Sequence, residues 1–228
     1  MSKKTIYFWI ILFDSVVVAV AIFLGIHDDD PLKHLEERGF LTLISFFQLL
    51  AISVVSWLVF LKSKNQKKTE RKFWKCPFML WAIVSFGFLF LAIDERYKTH
   101  EKMDERIHEL LMIQETGLTD RIDDLIVALY ALLGIGILYL YRKEFKKYRQ
   151  AFFFIKTGMV LLFIMVFLDV ISNRGDILQL FIEDGSLVNT LLIWLSVIED
   201  SLKIFAEGYF LVGFYTILER AKRINAIQ

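Results

Sequence analysis

The chain has 228 residues, 56% of them hydrophobic and 15% aromatic, with 22 Phe, two Pro and a mean hydropathy of +0.51. Soluble domains average about 45–50% apolar residues, so this composition points to long apolar helices in a membrane. A net charge of +1 carries no message beside the distribution of the charges, and the single Cys76 excludes an internal disulfide and any cysteine-rich metal site.

Six segments are long enough for a hydrocarbon core that takes about 20 helical residues to cross. They are 5–26, 40–61, 76–95, 122–141, 151–172 and 190–218. Strands of a membrane barrel would alternate apolar and polar residues; these runs are apolar throughout. The expected fold is all-α, a single six-helix transmembrane domain over 1–228, with no linker or repeat. Lys3 and Lys4 before the first apolar run resemble the start of a signal peptide. Asp14 interrupts that run and the apolar residues continue to Gly25, which favours a retained helix. Pro77 suits the first turn of the third span, where a missing N–H costs nothing. Gly117 and Thr119-Asp120 suit a break and a cap before the fourth.

Lys and Arg are concentrated on the cytoplasmic side of membrane proteins. With the N-terminus inside, the inner segments (3–4, 62–75, 142–149, 219–228) hold 17 Lys/Arg against three acids. The outer segments (27–39, 94–124, 173–186) hold 8 against 18. Both termini are therefore expected in the cytoplasm, in a multi-pass protein of the plasma (inner) membrane. The loop "KSKNQKKTERKFWK" suits anionic lipid at the cytoplasmic face. Topology already accounts for its charge, so nucleic acid is not an expected partner. A homo-oligomer is an assembly the sequence allows.

Beyond the residues of that tally, seven charged residues remain, all inside spans: Asp14, Lys156, Asp169, Glu199, Asp200, Lys203 and Glu207. Such groups are expensive there and usually face a bundle interior or wet cavity. Counting about 20 residues from each cytoplasmic anchor brings Asp94 and Glu95, Asp123 and Asp124, Asp169, and Glu199 and Asp200 to one outer level, with Lys203 and Glu207 deeper. Glu199, Lys203 and Glu207 are spaced i, i+4, i+8 on one face. If the third helix runs on unbroken, Asp94, Glu101 and His108 share a stripe, and His100 with Asp104 another. The alternative is an amphipathic helix after a turn, carrying Ile107, Leu110, Leu111 and Ile113. Residues 177–182 read as a short surface helix.

The sharpest reading is an outer-facing pocket between the third and sixth spans that binds a cation or proton, in transport or sensing. Its binding residues are Asp94, Glu95, His100, Glu101, Asp169, Glu199, Asp200, Lys203 and Glu207, with Asp14 as an inner proton station. No catalytic residue is assigned, and an enzyme is the less favoured class. The second reading is a metal-dependent membrane hydrolase in which Asp94, His100, Glu101 and Glu199 hold a divalent metal ion and activate water. Neither HExxH nor a paired ExxH pattern is present. The third reading makes the polar layer structural, in an assembly protein. Bland alternatives stand beside each. The charged stretch 96–115 can be a solvated helix, and Ser45, Gln48, Ser53 and Ser56 more often bridge helices than line a path. Lys156 can snorkel, and Gly208 and Gly213 can serve close packing.

The stretch "LAIDERYKTHE" resembles a DE-x4-HE motif that ends the third helix in a family of bacterial multi-helix membrane proteins of uncharacterised activity. There it accompanies an acidic pair and a glycine in the last helix, here Glu199-Asp200 and Gly208. The resemblance adds weight to Asp94, Glu95, His100, Glu101, Glu199, Asp200 and Gly208 and implies no mechanism. Membrane hydrolases related to alkaline ceramidase carry intramembrane histidines for zinc; here no histidine falls within a span.

Overall fold

A computed structural model describes residues 3–35, 39–64, 76–111, 122–172, 178–179 and 181–227. The described chain is helical and shows no strand. Its elements are α1 (Lys3–His27), α2 (Phe40–Lys64), α3 (Met79–Tyr97), α4 (Thr99–Leu111), α5 (Ile122–Leu140), α6 (Arg142–Phe145), a 3-10 turn (Lys146–Tyr148), α7 (Arg149–Ser172) and α8 (Gly185–Ile227). The cap at Gly117, Thr119 and Asp120 lies outside the described residues, as does most of the basic loop 62–75. Of the surface helix at 177–182, a helical turn is present, in which Phe181 and Ile182 N–H both donate to the Leu178 carbonyl.

Among the described residues, three stretches are long and apolar enough to cross a membrane on length and composition alone: Thr5–His27, Phe40–Lys64 and Arg142–Ser172. Two of the other expected spans carry charge: the C-terminal end of α3 holds Asp94, Glu95 and Arg96, and α8 holds Glu199, Asp200, Lys203 and Glu207 along its middle. In α5 a shorter apolar stretch, Leu129–Leu140, is present. The outer surface is itself apolar: Phe8, Phe23, Leu132, Phe163 and Phe167 are all more than half exposed. Large apolar side chains exposed in this number suit a surface that meets something other than water.

Lipid tails are as apolar as leucine, so helices in a membrane associate through close packing and polar contacts rather than by escaping water. Both devices are visible. α8 packs most extensively against α7 and α2, and α2 against α3. Where α7 meets α8, a Cβ on Gly213 would lie 2.6 Å from Ile155 Cδ1, and one on Gly158 would lie 3.0 Å from the Ala206 carbonyl oxygen. Glycine lets these two backbones approach. Between α2 and α3, Ser53 Oγ donates to the Ser85 carbonyl at 2.8 Å and Ser85 Oγ to the Ser53 carbonyl at 2.9 Å. The aromatic core sits at the end where α3 and α7 begin. There Trp81 is fully buried, edge-on to Tyr148 (5.3 Å) and Phe214 (6.4 Å).

The third helix does not run on unbroken. Lys98 is left-handed (φ 51°, ψ 53°), its N–H donates to the Asp94 carbonyl at 2.7 Å, and the amphipathic α4 starts at Thr99. The stripe expected for Asp94, Glu101 and His108 is therefore broken at one residue. His100 pairs with Asp94 rather than Asp104, and Asp104 takes His108 at 3.0 Å. His108 is buried, not a solvated group on an outward extension.

Candidate functional site

The polar groups of the bundle form three stations (an outer ion pair, a buried carboxyl pair and a corner clamp). The outer station joins α3 to α8. Lys203 Nζ donates to Glu95 Oε1 at 3.0 Å and lies 3.6 Å from Asp200 Oδ1. The side chains of Lys203, Glu95 and Asp200 remain 25%, 18% and 20% exposed. This ion pair is therefore partly exposed rather than sealed in the core.

One turn further along α8, Glu207 is only 6% exposed, and Ser45 of α2 donates to its Oε1 at 2.7 Å. Asp14 of α1 is fully buried, and Gln48 of α2 donates to its Oδ1 at 2.6 Å. Ser45 and Gln48 are three apart and so share one face of α2. That face presents one donor to each of two carboxyls from different helices. The second oxygens, Asp14 Oδ2 and Glu207 Oε2, and also Gln48 Oε1, are buried without a hydrogen-bond partner. A buried polar atom left unpaired costs about 1–3 kcal/mol, so three in one place call for an explanation.

Gly208 makes the inner station possible. An added Cβ there would collide with Asp14 Oδ2, would lie 3.1 Å from Asp14 Cγ and would reach Ile10 Cγ2 at 3.3 Å. The missing side chain is the socket for the Asp14 carboxyl. Next to it, Tyr209 and Tyr7 share a hydrogen bond of 3.0 Å between α8 and α1. Tyr7 is two turns from Asp14 along α1, so polar groups continue toward its N-terminal end.

The corner clamp uses Asp94, which is buried. Its Oδ1 accepts the Thr99 hydroxyl and the His100 N–H (2.8 Å), and its Oδ2 contacts His100 Nδ1 at 2.9 Å. Asp94 thus satisfies the first free donors of α4, as an N-cap does, and fixes the angle between α3 and α4.

The expected residues therefore divide. Glu95, Asp200, Lys203 and Glu207 gather along α8, and Asp14 joins them from α1. Asp94 and His100 belong to the α3–α4 corner. Glu199 turns to α7, where Ser172 Oγ donates to its Oε2 at 2.9 Å and Asp169 is a neighbouring charge. Along the i, i+4, i+8 stack on α8, Glu199 thus meets α7, while Lys203 meets α3 and Glu207 meets α2. The Glu101 side chain, like those of Asp123 and Asp124, lies outside the described residues. Among those described, no three His, Cys, Asp or Glu side chains are grouped so that they could hold a metal ion. Asp94, His100 and Glu199 are thus not gathered about one point. Ser45 and Gln48 hold the deep carboxyls, a role the sequence reading did not give them. Their spacing on an otherwise apolar helix, at the depth of Asp14, is the signal that could have found them.

An all-helical bundle with membrane-length apolar helices and an interior line of carboxyls is the class defined by this fold and site. The chain belongs to the family described as Domain of unknown function (DUF8692), whose pattern matches residues 8–218. No curated protein and no solved structure gives a match.

Proposed function

We propose that this protein spans the plasma (inner) membrane six times with both termini in the cytoplasm, and that it moves protons between an outer mouth at Glu95, Asp200 and Lys203 and the buried pair Glu207 and Asp14. The observation that carries this reading is the unpaired second oxygen on each deep carboxyl. Intramembrane acids mark ion and proton pathways far more often than they mark stability. A metal cation needs several ligands converging on one point, and the described residues gather none. A proton needs one oxygen at a time. That difference favours proton passage over metal-dependent hydrolysis and over the binding of a multiply coordinated cation. Exposure also falls from the mouth to Glu207 to Asp14, the order expected of an entry and an occluded station. The DE-x4-HE resemblance is compatible, with Asp94 and His100 setting the corner from which Glu95 reaches Lys203.

Liposomes with a trapped pH-sensitive dye test it. Purified protein should acidify the lumen when the outside is made acidic, and Glu207→Gln and Asp14→Asn should each abolish the flux while remaining folded. Wild-type vesicles no leakier than empty ones, with proton, sodium or potassium gradients, would overturn the reading.

A further inference from the structure

A second site lies at the other end of the bundle. A cavity of about 210 Å³ opens where the 3-10 turn enters α7 and α8 passes alongside. Lys146, Lys147, Arg149 and Arg220 line it with Gln150 and Thr216, and no acid among the described residues lines it. Lys147 is also held by Glu144, one turn back on α6. Arg220 comes from α8, about 70 residues away in sequence. The convergence of charge is therefore a product of the fold. Topological sorting of Lys and Arg requires charge on one side of a membrane, but it does not require a cavity.

Just beyond Arg149, Phe152 and Phe153 are 54% and 63% exposed. A ligand for this place has a compact anionic head and an apolar body. Guanidinium groups pair well with phosphate oxygens, offering parallel donors. We infer that this cavity binds the headgroup phosphate of an anionic phospholipid, with its acyl chains lying along Phe152 and Phe153. The site does not depend on proton movement.

The test titrates the full chain in detergent with dioctanoyl phosphatidylglycerol, dioctanoyl phosphatidylcholine and inorganic phosphate, reading bound equivalents by native mass spectrometry. Phosphatidylglycerol should bind at one equivalent, well before the other two. Arg149→Gln/Arg220→Gln should weaken it on the order of 30-fold, from about one tenfold step or less per basic residue. Lys102→Gln/Arg106→Gln, which removes the same charge from α4, should leave it unchanged. Equal losses in both variants, or phosphatidylcholine binding as tightly, would overturn the site. Inorganic phosphate binding as tightly as the lipid would overturn the lipid assignment. Should the arginine variant not fold, the wild type decides: the rise in Tm with phosphatidylglycerol must shrink as salt increases, and a salt-independent rise rejects the proposal.

Discussion

Gly208→Ala is a methyl-sized change with a large expected effect. The new Cβ meets the Asp14 carboxyl and lies 3.3 Å from Ile10 Cγ2. Asp14 must therefore swing away or α1 must shift. Overpacking of this kind costs about 1–3 kcal/mol. Moving Asp14 also weakens the 2.6 Å bond from Gln48, worth about 1 kcal/mol. Alanine returns up to about 1 kcal/mol through its better helix propensity. The net is a loss of about 2 kcal/mol, or roughly 4–8 °C in Tm for a chain of this length. Thermal unfolding in detergent, followed by tryptophan fluorescence, reads it. The decisive arm is Gly208→Ala/Asp14→Ala, in which the methyl occupies space the carboxyl has left. The two substitutions should couple by at least about 1 kcal/mol. Strict additivity, or a Gly208→Ala protein as stable as the wild type, would refute the socket.

Lys203→Met strands Glu95 and Asp200 and should cost on the order of 1–2 kcal/mol, less than a sealed pair because the groups are partly exposed; Glu95→Gln in the same chain should restore most of it. Ser53→Ala, which removes one bond of the α2–α3 exchange, should cost about 0.6 kcal/mol in the same melts. In the loop after α1, Lys33 and then His34 hold Asp28 at a pKa of about 2, below its usual 3.8. A depressed carboxyl stabilises the fold above its unfolded pKa and loses that contribution as pH falls through the folded value. Asp28→Asn should therefore flatten the acid limb of stability between about pH 4 and 2, and an unchanged limb would show the pair to be idle. For topology, in a Cys76→Ser background, Cys replacing Lys33 should react with an impermeant maleimide from outside intact cells and Cys replacing Lys143 should not; the reverse pattern inverts the orientation.

Helix positions were legible because apolar runs and charged interruptions are strong one-dimensional signals. The expected start at residue 40 and end at residue 172 coincide with helix ends of α2 and α7. A turn into an amphipathic helix was one of the two expectations after the third span, but its place at Lys98 was not legible, since lysine carries no preference for left-handed backbone. It is stabilised by an Asp94 side chain that sequence spacing assigned to a pocket. Asp14 was visible as a lone acid in an apolar run. Its partners were not, because Gln48 and Gly208 meet it only through the packing of three helices. Glu199 and Lys203 share a spacing that suggests one face, yet their neighbours lie on different helices. Periodicity gives the angle around a helix axis and says nothing of which helix stands there.

The last helix has a mechanical consequence. Its 43 residues carry no proline, and at about 1.5 Å each they form a rod of about 65 Å, roughly twice the thickness of a hydrocarbon core. A stiff rod gripped near its midpoint, where Asp14 seats against Gly208, behaves as a lever. Tilting it by about 10° about that fulcrum moves each tip by roughly 5 Å in opposite directions, on the length given by the helical rise. A push at the Gly185 end is thereby carried to the Arg220 end of the same rod.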